Sequence, residues 1–291
     1  MSAHNSRILV TGANGQLGRL VIQTLLKTVA PARLVASARR ADSLSELSAL
    51  GVEVRVADYA RPDTLATALA GIDRVLLISS SELGQRAVQH RNVIDAARQA
   101  GVSLLAYTSV LHADVSPLGL AEEHRQTEAA LAASGLPHVL LRNGWYTENY
   151  TAALASDLEH GAHFGSAGNG RIASASRLDY AEAAAAVLAS DDVQSGRVYE
   201  LAGDHSYTLA DFAAEAAKQS GRPVVYQDMP QAAYQAALIA AGLPAPIAGL
   251  LADSDAGAAR DALFDAGHQL STLIGRPTTP LAATIAEALA G

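Results

Sequence analysis

Between a short apolar run at 7–11 and an amphipathic stretch at 16–28 lies Thr11-Gly12-Ala13-Asn14-Gly15-Gln16-Leu17-Gly18. The stretch places Leu17, Leu20, Val21 and Leu25 on one face, so the glycines sit where a strand passes into a helix. Glycines spaced G-x-x-G-x-x-G at such a junction do three jobs. One permits a tight turn, one lets backbone amides approach a pyrophosphate, and one lets the helix close on the strand. The helix N-terminus then offers free N–H groups and a partial positive charge to an anion. The order strand, glycines, helix is what a dinucleotide site requires; the alternative is a glycine-rich turn of purely structural use.

The first half of the chain repeats the same rhythm. Strands are predicted at 33–38, 52–56, 74–79, 103–109 and 138–142, with helices at 43–50, 62–70, 85–100 and 120–134 between them. Near-continuous apolar strands alternating with helices imply the α/β class. The expected fold is a Rossmann-like, doubly wound parallel sheet covered on both faces, with right-handed crossovers. Beyond 145 the rhythm loosens. The pattern predicts an alanine-rich helix at 179–190 N-capped by Asp179, a strand at 197–201, and a helix from an N-cap at Thr208 to 220. Helices broken at Gly242-Leu243-Pro244 and Gly275-Arg276-Pro277 follow, giving a smaller, mainly helical C-terminal lobe. The expected division is 1–145 for an NADP-binding Rossmann domain, with later strands at about 172–202 returning to its sheet, and 146–291 for a mostly substrate-binding lobe.

Composition narrows the function classes. With 291 residues, 49% of them hydrophobic and 17% charged, the chain can bury a sizeable core. Twenty-nine acids against 21 bases give a net charge of −8, which argues against a nucleic-acid binder. It leaves room for a small anionic ligand held by local arginines. The chain has no cysteine, which removes disulfides, thiolate metal sites and cysteine nucleophiles. The polar lead at 1–6 lacks the charged start, apolar core and cleavage site of a signal peptide. The apolar run Val75-Leu76-Leu77-Ile78 falls far short of the ~18 residues a membrane span needs. A cytoplasmic protein without membrane insertion is expected; its oligomeric state is left open.

The end of the second strand selects the dinucleotide. NAD sites place Asp or Glu there, about 20 residues beyond the glycines, to bond the ribose 2′-hydroxyl. Here Arg39-Arg40 ends the strand, with no acid before Asp42. A guanidinium forms bidentate, charge-assisted bonds to the 2′-phosphate that an acid would repel. NADPH is therefore expected, with Arg39 its contact and Arg40 a helper; the alternative is a solvated arginine pair. Asp58 follows the third strand, placed to bond an adenine amino group or to cap the turn before Pro62. Ser79, Ser80 and Ser81 follow the fourth, at the carboxyl edge where open α/β sheets bind ligands. They are read as ribose and nicotinamide contacts or as a serine turn.

Further runs carry a family signature. They are Leu76-Leu77-Ile78-Ser79-Ser80-Ser81-Glu82, Ala106-Tyr107-Thr108-Ser109 with Leu111-His112-Ala113-Asp114, and Leu141-Arg142-Asn143-Gly144-Trp145-Tyr146-Thr147-Glu148-Asn149-Tyr150. Tyr199-Glu200-Leu201-Ala202-Gly203-Asp204 and Leu273-Ile274-Gly275-Arg276-Pro277-Thr278-Thr279 complete them. With the glycine loop, these runs resemble the NmrA-like group of atypical short-chain dehydrogenase/reductases over essentially the whole chain, its quinone-reducing members more than its dye-reducing ones. The resemblance implies NADPH-dependent, two-electron reduction of a small-molecule quinone to a hydroquinone by direct hydride transfer, with no flavin and no metal. It also implies cofactor contacts at Gly12, Ala13, Asn14, Gly15, Gln16 and Leu17, at Arg39, and at Ser79, Ser80 and Ser81. To these it adds Asn143, Gly144, Trp145, Tyr146, Thr147 and Glu148, and Ala175, Ser176 and Arg177. Spacing alone does not reveal the last two groups; Asn143-Gly144 by itself reads as a turn.

Orthodox short-chain dehydrogenases carry Tyr-x-x-x-Lys on the helix after the fifth strand, the lysine lowering the pKa of the tyrosine acid, with a serine at that strand's end. Ser109 supplies a serine, but the helix offers His124-Arg125-Gln126-Thr127-Glu128. A quinone tolerates the loss, because hydride addition gives a delocalised hydroquinone anion and positioning of the ring does most of the work. Trp145 and Tyr146 are candidate pocket walls, with core packing the alternative for Trp145. His112 and His124 are candidate proton donors or structural histidines, and the catalytic group is left unassigned. His160-x-x-His163 lacks further ligands for zinc, Glu122-Glu123 reads as a charged helix face, and no G-x-S-x-G elbow surrounds Ser109. Two rivals stand: a reductase of another conjugated acceptor such as a triphenylmethane dye, and a non-catalytic NADP-sensing regulator, which the missing Tyr–Lys pair suits.

Overall fold

The computed structural model describes residues 6–290; the polar lead at 1–5 and Gly291 lie outside the described residues. In chain order the elements are β1 (Ile8–Val10), α1 (Gln16–Leu25), β2 (Leu34–Ala38), α2 (Ser45–Ala49), β3 (Glu53–Val56), α3 (Pro62–Leu69), β4 (Arg74–Leu77) and α4 (Arg86–Gln99). There follow β5 (Leu104–Val110), α5 (Ala121–Ser134), β6 (His138–Asn143), α6 (Glu148–Thr151), α7 (Leu154–His160), β7 (Ala162–Gly165), α8 (Arg177–Ala189) and β8 (Val198–Leu201). The last are α9 (Leu209–Ser220), β9 (Val225–Asp228), α10 (Gln231–Ala240), α11 (Ala245–Ala258), α12 (Gln269–Ile274) and α13 (Leu281–Ala290).

Seven strands form one sheet in the order β3-β2-β1-β4-β5-β6-β8. The pairings from β3 through to β6 are parallel. This is the doubly wound, Rossmann-like arrangement expected from the alternating pattern. Strand order reverses between β1 and β4, so the turns leaving their carboxyl ends flank the switch point where such sheets bind ligands. Those turns are the glycine loop and the serine run.

The chain divides into two compact units. One holds the chain up to Val110, Glu123–Asn143 and Arg177–Tyr199; the other holds Leu111–Glu122, Gly144–Ser176 and the chain from Glu200. In the first, Leu9, Val35, Val75, Leu77, Leu105 and Tyr107 of the strands bury against Leu65, Leu69, Val93, Ile94 and Ala97 of the helices. Each fully buried aliphatic side chain there contributes about 1.5–3 kcal/mol. On the other face, α8 packs on α1. It begins at Arg177, so Asp179 lies fully buried in its first turn rather than at the N-cap.

In the second unit α9 to α13 dominate. Thr208 caps α9 through a reciprocal capping box with Asp211. This unit also contains β7 and β9, a parallel pair in register from Ala162 with Val225 to Gly165 with Asp228. That pair was absent from the pattern reading. Of the strands expected at about 172–202, one forms in the sheet, β8. Ile172 makes isolated bridges to Tyr207 and Leu263, and Ala175 makes one to Tyr146. The stretch is too short before the start of α8 to extend further.

Candidate active site

The glycine loop is built around Gly12, whose φ of 58° lies in the left-handed region. Ala13 N–H donates to Ser37 O at 2.9 Å and Gly15 N–H to Gly12 O at 2.9 Å, closing the turn onto β2. A Cβ at Gly18 would stand 2.6 Å from Gly12 O and 2.7 Å from Ala13 Cα, so α1 closes on the loop only because that side chain is absent. Ala13 and Leu17 are buried; Asn14, Gly15 and Gln16 are exposed. The α1 N-terminus has Gly15 as its N-cap, no side-chain cap and no acid in its first turn. A cradle that a Cβ would fill, at a helix end left for an anion, fits a pyrophosphate.

At the end of β2, Arg39 Nη1 lies 2.8 Å from Glu82 Oε1, with its side chain 72% exposed. Arg40 is paired instead with Asp42, whose hydrogen bonds hold the guanidinium above its ordinary pKa. Asp58 Oδ1 accepts from Ala60 N–H at 2.9 Å, and Asp58 N–H donates to Thr64 Oγ1 at 3.0 Å, so here the side chain caps the turn.

After β4 the chain leaves the sheet, and side chains of neighbouring elements take over its hydrogen bonds. Thr11 Oγ1 accepts from Ile78 N–H at 3.0 Å, Tyr59 OH donates to Ile78 O at 2.9 Å, and Thr108 Oγ1 accepts from Ser79 N–H at 2.9 Å. Ser79 and Ser80 are half-buried and Ser81 exposed. At the end of β6, the Oδ1 of buried Asn143 has no hydrogen-bond partner within the protein. A buried acceptor left open there suits a bound amide or hydroxyl. Arg177 lies half-buried at the start of α8.

The orthodox serine is tied up. Ser109 Oγ donates to Glu128 Oε1 at 2.5 Å, and Arg142 grips the same carboxylate from Nε at 3.0 Å and Nη2 at 2.7 Å. His124 is removed as an accessible acid, for it is buried with Nδ1 2.7 Å from Tyr107 OH. Burial first, then the Arg86 charge, holds it well below the ordinary histidine range. Glu123 is not a free helix-face charge either: its carboxylate accepts from Gly84 N–H at 3.2 Å and Arg86 N–H at 3.0 Å, capping α4.

In the second unit, the two segments assigned by resemblance alone lie side by side. Ala175 N–H donates to Trp145 O at 3.2 Å and Thr147 N–H to Ala175 O at 3.0 Å. Thr147 Oγ1 meets Ser174 Oγ at 2.8 Å, and Ser176 Oγ meets Thr279 Oγ1 at 3.4 Å. Trp145, 9% exposed, tilts against Tyr150 at 6.5 Å between ring centroids, at the rim of an aromatic cluster with His163 and Phe212. Tyr146, Gly144 and Glu148 are half-buried. The signature runs 199–204 and 273–279 meet as well. Asp204 N–H donates to Thr278 Oγ1 and Thr278 N–H to Asp204 Oδ2, each at 2.9 Å.

His112 has a φ of 51°, uncommon for a residue with a side chain. Its N–H donates to Glu200 Oε2 at 2.8 Å, and its ring Nε2 lies 3.2 Å from Asp265 Oδ2. It is thus held by two carboxylates, neither of which the sequence reading had placed beside it. His160 and His163 diverge: the first is exposed on Ser156 O, the second buried 2.7 Å from Asp157. Among the described residues no group of three or more His, Asp or Glu is arranged to hold a metal ion. Among them, too, no helix is long and apolar enough to cross a membrane.

Residues 12–191 match the NAD(P)H-binding family. The chain is 55% identical to quinone oxidoreductase 2 of Escherichia coli strain K12 over 280 residues, 96% of this chain and 98% of that one. It superposes with a TM-score of 0.94 on the crystal structure of an E. coli NADPH-dependent quinone oxidoreductase complexed with NADPH, at 54% identity, covering 97% of this chain and 99% of that one. Against the Citrobacter sp. triphenylmethane reductase complexed with NADP(H), the TM-score is 0.92 at 36% identity, with 97% and 99% covered.

Proposed function

This chain belongs to the NAD(P)H-binding family, and on that premise we propose that it is an NADPH-dependent quinone oxidoreductase. It reduces a quinone by two electrons, taking one hydride and one proton per turnover and releasing NADP and a hydroquinone. The kinship is with the quinone-reducing relative before the dye-reducing one, 55% identity against 36%. Bound NADPH supplies the hydride. The loop from Gly12 to Leu17 and the open end of α1 take the pyrophosphate, and Arg39 exchanges Glu82 for the 2′-phosphate. Ser79, Ser80, Ser81 and Asn143 serve the ribose and nicotinamide. The paired segments at 144–148 and 175–177 complete the proposed contacts.

The observation that carries the substrate class is the Ser109–Glu128–Arg142 set. Where a carbonyl reductase keeps a proton-donating Tyr–Lys pair, this unit keeps a carboxylate already neutralised by arginine. An acceptor that needs no strong acid at the moment of hydride transfer fits that wall, and a quinone is such an acceptor. His112, between Glu200 and Asp265, is the proposed source of the proton that completes the hydroquinone. An enzyme that consumes NADPH works where the NADPH pool is, so the cytoplasm is its proposed location. Its partner is a small quinone; the net charge of −8 speaks against nucleic acid.

The test is oxidation of reduced nicotinamide by the purified protein, NADPH against NADH, with and without a benzoquinone or naphthoquinone. Quinone-dependent turnover that prefers NADPH is expected. Tight NADP binding without turnover of any quinone or dye would move the protein to the sensing regulators.

A further inference from the structure

We infer that His90 and Arg86 of α4 are positioning residues for the cofactor: they hold the two backbone groups of Ser80, so that the serine turn meets the ribose and nicotinamide already formed. The inference rests on reading Ser79, Ser80 and Ser81 as cofactor contacts.

Beyond Leu77 there is no sheet partner, and a buried backbone N–H or C=O without one is costly. Ile78 and Ser79 are served by Thr11, Tyr59 and Thr108, as above. For Ser80 the partners come from α4. Ser80 N–H donates to His90 Nε2 at 2.9 Å, and Arg86 Nε donates to Ser80 O at 2.6 Å. His90 is fully buried and Arg86 nearly so. Spaced i, i+4, they extend the same buried stripe that carries Val93, Ile94 and Ala97.

The imidazole tautomer follows from its partners. Because Nε2 accepts, the ring proton is on Nδ1 and is given to Thr127 Oγ1 at 2.9 Å. Thr127 in turn donates to Glu123 O at 2.8 Å, and the Glu123 carboxylate caps the N-terminus of α4. Tyr107 closes edge-on against the His90 ring at 5.3 Å. Burial, with the Arg86 charge behind it, pushes His90 down to about 3, so the accepting nitrogen stays unprotonated across the working range of pH. These contacts to Ser80 are in place without a ligand, as preorganisation requires.

A pair that merely filled the end of α4 would affect stability alone, whereas positioning residues affect the ligand. His90→Gln offers an acceptor at the far end of the side chain, while His90→Leu keeps bulk and removes it. The expected result for His90→Leu is an NADPH dissociation constant raised about tenfold, the worth of one well-placed hydrogen bond. NADPH KM rises with it, quinone KM does not, and His90→Gln restores most of the loss. Amide exchange at Ser80, followed by NMR without cofactor, should quicken in His90→Leu and not in His90→Gln. Should His90→Leu fold poorly, Thr127→Val, which removes the Nδ1 partner, is expected to act in the same direction. Leu131→Ala, buried in the same unit, controls for lost stability, lowering the Tm without moving the dissociation constant. If NADPH shifts the Ser79–Ser81 resonances of the wild type but binds the His90 and Thr127 variants equally well, the positioning role is overturned while the cofactor contact stands. If NADPH leaves those resonances unmoved in the wild type, both fall.

Discussion

Gly18→Ala sets two effects of known sign against each other. Within a helix, alanine in place of glycine stabilises by about 1 kcal/mol. At Gly18, however, the added Cβ lands 2.6 Å from Gly12 O and 2.7 Å from Ala13 Cα. Both obstacles are backbone, so relief requires the loop and α1 to part by several tenths of an ångström. Overpacking of this kind costs roughly 1–3 kcal/mol, and the upper end applies where no side chain can yield. The balance is a loss of about 1–2 kcal/mol, a fall in Tm of roughly 2–8 °C for a domain of this size. The displaced atoms are those of the proposed pyrophosphate cradle, so NADPH affinity should drop at least about tenfold as well. Thermal denaturation and a fluorescence titration with NADPH measure the two effects. Gly249→Ala in α11 is the contrast: its Cβ would meet only the Gln235 side-chain amide at 3.3 Å, and it should hold or raise the Tm. The reasoning is refuted if Gly18→Ala melts at or above the wild type and binds NADPH as tightly.

Arg39→Ala should weaken NADPH about tenfold, the modest figure reflecting an exposed guanidinium, and leave NADH unchanged. Calorimetric titration with both dinucleotides decides it, and equal losses would discard the 2′-phosphate role. His112→Ala should slow quinone reduction at least about tenfold, on the low side of the usual gain from a positioned acid, with NADPH affinity intact; unchanged turnover removes the residue from the chemistry. In the second unit, burial raises the Asp255 carboxyl from 3.8 to about 6 despite the Ser166 N–H and the His163 charge. Its folded pKa lies above its unfolded one, so its contribution is fully present below about pH 4 and is lost as pH rises through 6. Asp255→Asn should therefore gain stability over the wild type above pH 6, by up to roughly 3 kcal/mol, and urea midpoints at pH 4.5 and 7.5 would expose a flat difference if this is wrong.

Where local chemistry forces a residue type, the fold was legible. The glycine loop, the parallel order of β1 to β6 and the Thr208 cap all follow from spacing and backbone demand. The strands β7 and β9 were hidden because Ala162-His163-Phe164-Gly165 and Val225-Tyr226-Gln227-Asp228 are four residues each, too short for a period to declare itself. Asp179 was misplaced by three residues because α8 opens on Arg177, and an aspartate in a first turn looks like one at a cap. At the site, Arg39 stood out by what was missing beside it, an acid, but its partner Glu82 is 43 residues away in sequence. The His90–Arg86 pair is a feature the sequence reading missed. Its signal was available, since residues 86 and 90 fall in phase with Val93 and Ala97 on the apolar stripe. The carboxylates around His112 come from Glu200 and Asp265, contacts that only the folded chain creates.

The chain passes from one unit to the other after Val110, Glu122, Asn143, Ser176 and Tyr199. A gene truncated near codon 145 would thus encode β6 without β8 beside it and α1 without α8 upon it. Such a product carries an open strand edge and a bare apolar helix face, the features that feed aggregation. During synthesis the first unit cannot close until the ribosome has delivered residues beyond 200, although its glycine loop emerges first. Nor can evolution trade either unit as a cassette through a single recombination point.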